Sequence, residues 1–506
     1  MAGRIPVRPL TVALLAAAIA FGAWLRFATI GAREMSADEG ASWAAAAAPS
    51  LAEVVRIQAV LNPGKLAVYE VVLHGWMMIF GDGLGAMRAL SAMLDTFSIV
   101  VVFALVRELL GAPSPQNESA GLGGLSPEDA ETVAAFAAML FAVNLVSIKY
   151  ARELRMYPLA LLIVLLQVWV FIRAVRRGRG FDLAPLAVLT ALAVATHFSA
   201  AFMAVAETLC LAALPLMPWP RAKPPRMGQP FAVAAALVAG AALFLIVALP
   251  ALRTGASAFA QGATGWIERP RWWAPLALFN KGVGSFAFPV MAALAGWGAW
   301  RGWARTRAAT AFALAWMWTP PLLMLVASYA FSPMFVERYA LWCFVPFFML
   351  AAFGAWELRI ASTRGALGAI GAPGAIGTIG ALGLMVALAL GHLHTYRRRP
   401  HDTQWREAAR AAADALAPGM KIAVAPPYAV NAVRYYLRDT QSAEAAVAAG
   451  DYDAQDSDAR NSHLEFLVVG DQWNAREKAA KLLAQYPHPL ASFRGVRVYG
   501  RGTRAR

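Results

Sequence analysis

The stretch Lys65-Leu66-Ala67-Val68-Tyr69-Glu70-Val71-Val72-Leu73-His74-Gly75-Trp76-Met77-Met78-Ile79-Phe80 decides how this chain is read. It is apolar enough to suggest a membrane span, yet it is short and carries Lys65, Glu70 and His74. A spanning helix needs about 20 predominantly apolar residues. As a span, this segment would reverse the side of every later loop. As a helix lying on the membrane surface, it keeps the basic loops together on one side. Glu70 and His74 are four residues apart and share one helix face, where they can pair with each other.

The rest of the chain favours the second reading. Of 506 residues, 59% are hydrophobic and 15% charged, and the mean hydropathy is +0.53. Such a composition, with repeated apolar runs of about 20 residues, defines a polytopic α-helical membrane protein. The runs lie at Leu10 to Thr29, Met87 to Leu109, Val133 to Ile148, Pro158 to Val175, Leu183 to Ala200 and Ala201 to Met217. They continue at Phe231 to Leu249, Gly282 to Trp300, Ala308 to Ser328, Tyr339 to Trp356 and Ala366 to Leu390. About eleven transmembrane helices are expected. The first is too long, and has too many successors, to be a cleaved signal peptide.

Arg173, Arg176, Arg177 and Arg179 fall in one alternate loop, and Arg221, Lys223 and Arg226 in another. Arg301, Arg305, Arg307, Arg359 and Arg364 follow on the same side as Arg4 and Arg8. Cytoplasmic loops retain Lys and Arg, so the N-terminus is expected in the cytoplasm of a multi-pass plasma membrane, the bacterial inner membrane. The net charge of +15 is spread over these loops, which argues against a nucleic-acid partner. Gly111 to Glu131 dissents, since it carries Glu118, Glu128, Asp129 and Glu131; its Gly, Pro, Ser and Asn content reads as a linker. Cys210 and Cys343 show neither disulfide nor zinc spacing.

The expected domains are residues 1–392, a membrane domain with a large external loop at 30–85, and residues 393–506, a small extracytoplasmic α/β domain. In the tail, helices are expected at Thr403 to Leu416, Ala429 to Leu437 and Trp473 to Gln485. Strands are expected at Lys421 to Ala425, Glu465 to Val469 and Val496 to Tyr499.

This topology rests on basic loops alone, and it brings other charged residues to the external face: Asp38, Glu39, Lys65, Glu70, Arg155, His197, Glu268, Arg269, Arg271 and Arg338. Adjacent carboxylates at a membrane surface, as at Asp38-Glu39, are costly to desolvate and point to a proton, a cation or a partner charge. A site that holds an anionic phosphate and deprotonates an acceptor needs this mixture of groups. Glu268, Arg269 and Arg271, among Trp266, Trp272 and Trp273, read first as an interfacial aromatic belt. The Gly-rich stretch Gly365 to Gly383 has no following Gly-Lys-Ser/Thr, so it is no nucleotide loop; its small residues permit close helix packing.

The acidic pair after the first span resembles the GT-C glycosyltransferases, in the branch of the protein O-mannosyltransferases and the lipid A aminoarabinose transferase. So do Asn62 to Trp76, Phe80-Gly81-Asp82, Met87 to Ala92, Arg155-Met156-Tyr157, Thr196-His197-Phe198, Arg338-Tyr339, Trp405-Arg406 and Tyr435-Tyr436-Leu437. Two positions differ. Leu66-Ala67 follows Lys65 where that branch has Pro-Pro, and Gly64 stands where the aminoarabinose enzymes have an acid.

The resemblance implies inverting transfer of a sugar from a polyprenyl-phosphate donor to an acceptor hydroxyl of a protein, lipid or glycan on the external face. It implies Asp38 as base, with Glu39 orienting it or a cation, and Lys65, Arg155, Tyr157 and Arg338 around the donor phosphate. Glu70, His74, His197 and Glu268 are candidate substrate or metal contacts. A divalent cation is a possible cofactor, with no certain ligand set. The competing class is a transporter or flippase of a lipid-linked sugar, which calls for charged or broken helices near the midplane in a repeated architecture. The charges gather instead at one face, and the sequence has no evident repeat.

Overall fold

The computed structural model describes residues 9–111, 124–177, 180–213, 229–260, 267–364, 371–398, 404–416, 420–439, 447–449, 464–470 and 486–500. The helix expected at Trp473 to Gln485 lies outside them, as do the loops carrying Arg4, Arg8, Glu118, Arg221, Lys223 and Arg226.

The chain opens with α1 (Pro9–Phe27), followed by three short helices, α2 (Ala37–Ala46), α3 (Leu51–Leu61) and α4 (Val68–Phe80). Then come α5 (Leu84–Leu110), α6 (Pro127–Ala142), α7 (Leu145–Ala151), α8 (Tyr157–Arg177), α9 (Leu183–Thr196), α10 (Ala201–Ala213) and α11 (Gln229–Ala260). The helical part closes with α12 (Ala274–Val283), α13 (Phe288–Arg305), α14 (Arg307–Ala330), α15 (Phe344–Arg364) and α16 (Gly371–Arg398).

Five of the described helices are long and apolar enough to cross a membrane, or seven if the bent pairs α6 with α7 (59°) and α12 with α13 (112°) each form one span. The expectation of eleven additionally needs the shorter apolar helices, among them α1, α9 and α10. The 13-residue α4 is about 20 Å long at 1.5 Å per residue, short of a ~30 Å hydrocarbon core. Its exposed Met78, Ile79 and Phe80 suit a helix lying on the membrane surface.

Close backbone approach locks part of the bundle. A Cβ on Gly298 of α13 would lie 2.0 Å from the Leu350 carbonyl, and one on Gly354 of α15 would lie 2.0 Å from that of Leu294. Only glycine permits this contact, as small residues do wherever membrane helices touch.

The two ends of the bundle differ in chemistry. At one, Arg301 and Arg305 both pair with the buried Glu357, Arg173 pairs with Asp182, and Arg176 reaches the Glu108 carbonyl. The dissenting acidic segment belongs here as helix chemistry: Ser126 caps α6, Glu128 and Asp129 sit in its first turn, and Glu131 pairs with Arg107 at 3.3 Å.

The other end carries α2, α3 and α4, the α7–α8 loop and the small sheet unit. That unit comprises α17 (Trp405–Asp414), β1 (Lys421–Ala425), α18 (Val430–Leu437), β2 (Val447–Ala449), β3 (Leu464–Gly470), β4 (His488–Phe493) and β5 (Val496–Gly500). Its strand order is β2-β1-β3-β5-β4, with β1 parallel to β2 and β3, and β5 antiparallel to β3 and β4. Trp405, Ile422, Val424, Val433, Val468 and Val498 form its core.

This unit docks directly on the segment after α1. Met35 N–H donates to the Tyr436 hydroxyl at 2.6 Å, Arg406 N–H donates to Glu34 at 3.1 Å, and Arg438 pairs with Asp82 at 2.7 Å. Trp43 and Tyr435 meet edge to face with centroids 5.3 Å apart. A Cβ on Gly40 would lie 2.6 Å from the Ala432 nitrogen, so α2 and α18 touch backbone to backbone.

Candidate active site

The site is built on the first turn of α2. Ser36 caps it, its hydroxyl accepting from Glu39 N–H at 3.3 Å while Glu39 accepts from Ser36 N–H at 2.8 Å. This reciprocal capping box fixes the side chain of Glu39. Asp38 is its neighbour, and successive helical residues lie about 100° apart around the axis, so the two carboxylates face different surroundings.

Glu39 is fully buried and engaged on every side. Arg88 donates to it twice, at 2.7 and 2.8 Å, and Leu154 N–H donates at 2.9 Å. Burial opposes its charge, but Arg88 and the backbone donors prevail and bring its pKa down to about 2. Arg88 also donates to the carbonyls of Ile30, Arg33 and Glu34. One buried arginine thereby fastens the whole approach to α2.

Asp38 is exposed. Arg155 holds its backbone carbonyl at 2.9 Å. The charges of Arg155, then Arg338 and Lys65, keep the Asp38 carboxyl below its usual range, against partial burial and repulsion from Glu39. Lys65 is half-buried; its backbone N–H donates to the Asn62 carbonyl at 3.1 Å, and its side chain makes no hydrogen bond or ion pair among the described residues. Desolvation, reinforced by Arg155, pushes its pKa down to about 8, with Asp38 and Glu70 opposing. The turn before it is tightly set. Gly64 has φ +87°, and a Cβ there would lie 2.8 Å from Gly255 of α11.

Arg155, Tyr157, His197, Arg338 and Tyr339 come from three separate parts of the chain and meet here. The Arg155 and Arg338 guanidiniums lie 5.8 and 5.5 Å from the centroid of the Tyr157 ring. That ring lies 5.7 Å from His197 and 6.3 Å from Tyr339. His197 ends α9; its Nδ1 lies 2.7 Å from the Ser199 hydroxyl, which itself donates to the Tyr339 carbonyl at 2.8 Å. Glu337, next to Arg338, takes Lys281 at 3.2 Å and Lys149 at 4.0 Å.

Glu70 and His74 do not pair with each other. Both reach α2, Glu70 accepting from the Ser42 hydroxyl at 3.3 Å and His74 contacting the Ala46 carbonyl at 2.8 Å. They brace α4 against the helix that carries Asp38. Glu268 is exposed, and no contact among the described residues ties it to this cluster. Among those residues no three His, Cys, Asp or Glu side chains gather as a metal-binding set.

The organising role of Arg88 was not read from the sequence. A charge inside an apolar run, at the start of α5, was the available signal. The spacing Ser36-x-x-Glu39 likewise marks a capping box and assigns Glu39 to structure.

The fold is that of the GT-C membrane glycosyltransferases. The chain is similar to ArnT from Cupriavidus metallidurans in the apo state, at 13% identity and a TM-score of 0.58, over 97% of this chain and 98% of that one. The same protein bound to undecaprenyl phosphate matches at 12% identity and 0.58, over 98% of each chain. The Archaeoglobus fulgidus oligosaccharyltransferase in complex with Zn and sulfate matches at 12% and 0.53, over 96% of this chain and 73% of that one. No protein-family model matches the sequence, and no curated protein matches it.

Proposed function

We propose that this chain is an inverting membrane glycosyltransferase that moves a sugar from a polyprenyl-phosphate donor to an acceptor hydroxyl on the extracytoplasmic face of a bacterial inner membrane. The observation that carries the reading is one exposed carboxylate, Asp38, in the field of Arg155, Arg338 and Lys65. The undecaprenyl phosphate bound by the ArnT structure supports a donor of this class. Residues 1–392 form the transferase and residues 393–506 a small domain on the same face.

In this mechanism Asp38 accepts the proton of the acceptor hydroxyl as its oxygen attacks the anomeric carbon. The bond from that carbon to the phosphate oxygen breaks, and its electron pair leaves with the polyprenyl phosphate. Lys65 and Arg155, with Arg338 behind them, balance the charge that grows on the leaving group. Tyr157 donates a further hydrogen bond, and Glu39 holds the turn that aims Asp38. The polyprenyl chain lies between helices, open to lipid.

The test is release of polyprenyl phosphate by purified protein given polyprenyl-phosphate sugars and a membrane extract, with Asp38→Asn beside wild type. Release that collapses in the variant while donor binding persists is the expected result. Donor binding with lipid movement across the bilayer, no release, and no effect of the substitution would replace the enzyme with a transporter.

A further inference from the structure

The cations around Asp38 all come from the helical part of the chain, whereas the small sheet unit packs on α2, the helix that carries Asp38. In an in-line displacement the acceptor enters opposite the leaving phosphate, so an acceptor calls for groups near Asp38 other than the phosphate-binding Lys65 and Arg155. The turn Pro427–Ala429 of the sheet unit packs against α2. The backbone of Asn431 and Ala432, just beyond the turn, presses on Gly40, two residues after Asp38. Tyr428 is the middle residue of this turn and is 51% exposed.

Its mounting is rigid. Pro426 and Pro427 fix the backbone before it, Ala429 after it is buried, and Ala429 N–H donates to the Pro426 carbonyl at 2.9 Å. Partial burial and the Asp38 charge push the Tyr428 phenol up from its ordinary pKa, so it stays protonated. An exposed tyrosine is ordinary on a protein surface; one held stiffly beside a candidate catalytic carboxylate is not.

We propose that Tyr428 is the platform of an acceptor subsite for a carbohydrate, stacking on the apolar face of the sugar ring that presents its hydroxyl to Asp38. A tyrosine ring offers a flat apolar face and one hydrogen-bonding tip at low entropic cost. A pyranose offers the complement, a C–H face with a rim of hydroxyls. The inference rests on the reading of Asp38 as the base, and it gives the small domain a part in choosing the acceptor.

The experiment measures binding of octyl glucoside, below the concentration at which it forms micelles, and of undecaprenyl phosphate to the full chain in nanodiscs. Wild type, Tyr428→Ala and Tyr428→Phe are compared. Tyr428→Ala is expected to weaken glucoside binding about ten-fold and Tyr428→Phe about three-fold or less, with undecaprenyl phosphate affinity unchanged in both. Equal glucoside affinity in wild type and Tyr428→Ala overturns the proposal. So does a parallel loss for octanol, which would mean apolar adhesion, or for undecaprenyl phosphate, which would mean a dislodged domain. The transferase reading is decided separately by polyprenyl-phosphate release: a selective loss of glucoside binding without release in wild type would keep the subsite and remove the enzyme.

Discussion

Arg88 grips Glu39 with hydrogen bonds of 2.7 and 2.8 Å, and both side chains are buried. The pair joins the start of α5 to the first turn of α2 across 49 residues of sequence. Removing one partner of a buried pair leaves an uncompensated charge, at a cost of about 3–5 kcal/mol. Arg88→Ala and Glu39→Ala are therefore expected to lower the melting temperature sharply and to lose donor binding with it. A normal melting curve for either variant would remove this pair from the architecture of the site.

Asp38→Asn is expected to behave differently. Loss of a positioned base costs about 10²–10⁴ in rate, while an exposed side chain contributes little to stability. Release of polyprenyl phosphate should fall on that scale, with a melting temperature far closer to wild type than that of Glu39→Ala. Comparable destabilisation by the two substitutions would contradict the division of labour between these neighbours.

Donor affinity should depend on pH through Lys65. Its pKa is lowered to about 8 in the free protein, so the cation that meets phosphate is present at neutral pH and is lost as pH rises through that value. Undecaprenyl phosphate affinity is expected to hold up to about pH 7 and weaken above pH 8, while Lys65→Arg, which stays charged, flattens the profile. Lys65→Ala should cost about 10- to 100-fold in affinity at pH 7, the worth of a charged hydrogen bond. A pH profile that Lys65→Arg leaves unaltered would assign phosphate binding elsewhere.

The docking of the sheet unit carries a second pH dependence. Burial, then a hydrogen bond to Glu407, raises Glu34 to about 7, with Arg406 opposing. A carboxyl whose pKa is raised in the fold stabilises most below its unfolded value of about 4.5, and that contribution is lost as pH rises towards 7. The melting temperature should thus decline over this interval by more in wild type than in Glu34→Gln, where no proton is released. Parallel curves would show that the Glu34 carboxyl does not titrate at this contact.

Gly40 offers a steric test of the same docking. An added Cβ would lie 2.6 Å from the Ala432 nitrogen and 2.9 Å from the Asn431 carbonyl carbon, and backbone yields poorly to such overlap. Gly40→Ala is expected to destabilise by about 1–3 kcal/mol and to increase hydrogen exchange in α18. Unchanged exchange there would place the contact elsewhere.

Apolar run length and the placement of Arg and Lys marked, from sequence alone, the membrane class, most of the long apolar helices and two chemically distinct ends, but not the break that splits the run Val133 to Ile148 into α6 and α7. Period-2 and period-3.6 patterns located β1, β3, β5, α17 and α18 in the tail, while the edge strands β2, of three residues, and β4, with weak alternation, escaped. These features are legible because hydrophobicity and periodicity are local. The roles within the site are not local. Asp38 and Glu39 are equivalent acids on paper, and what separates them is a helical turn of about 100° together with donors 49 and 115 residues away, Arg88 and Leu154. Tertiary structure alone decided that Glu70 and His74 brace α2 instead of each other, that the Lys65 side chain faces Asp38 and Arg155 with no ion-pair partner among the described residues, and that Tyr428 arrives beside Asp38. Each of these outcomes depends on which groups the packed helices bring within a few ångströms, and a charge's function follows from its neighbours in space.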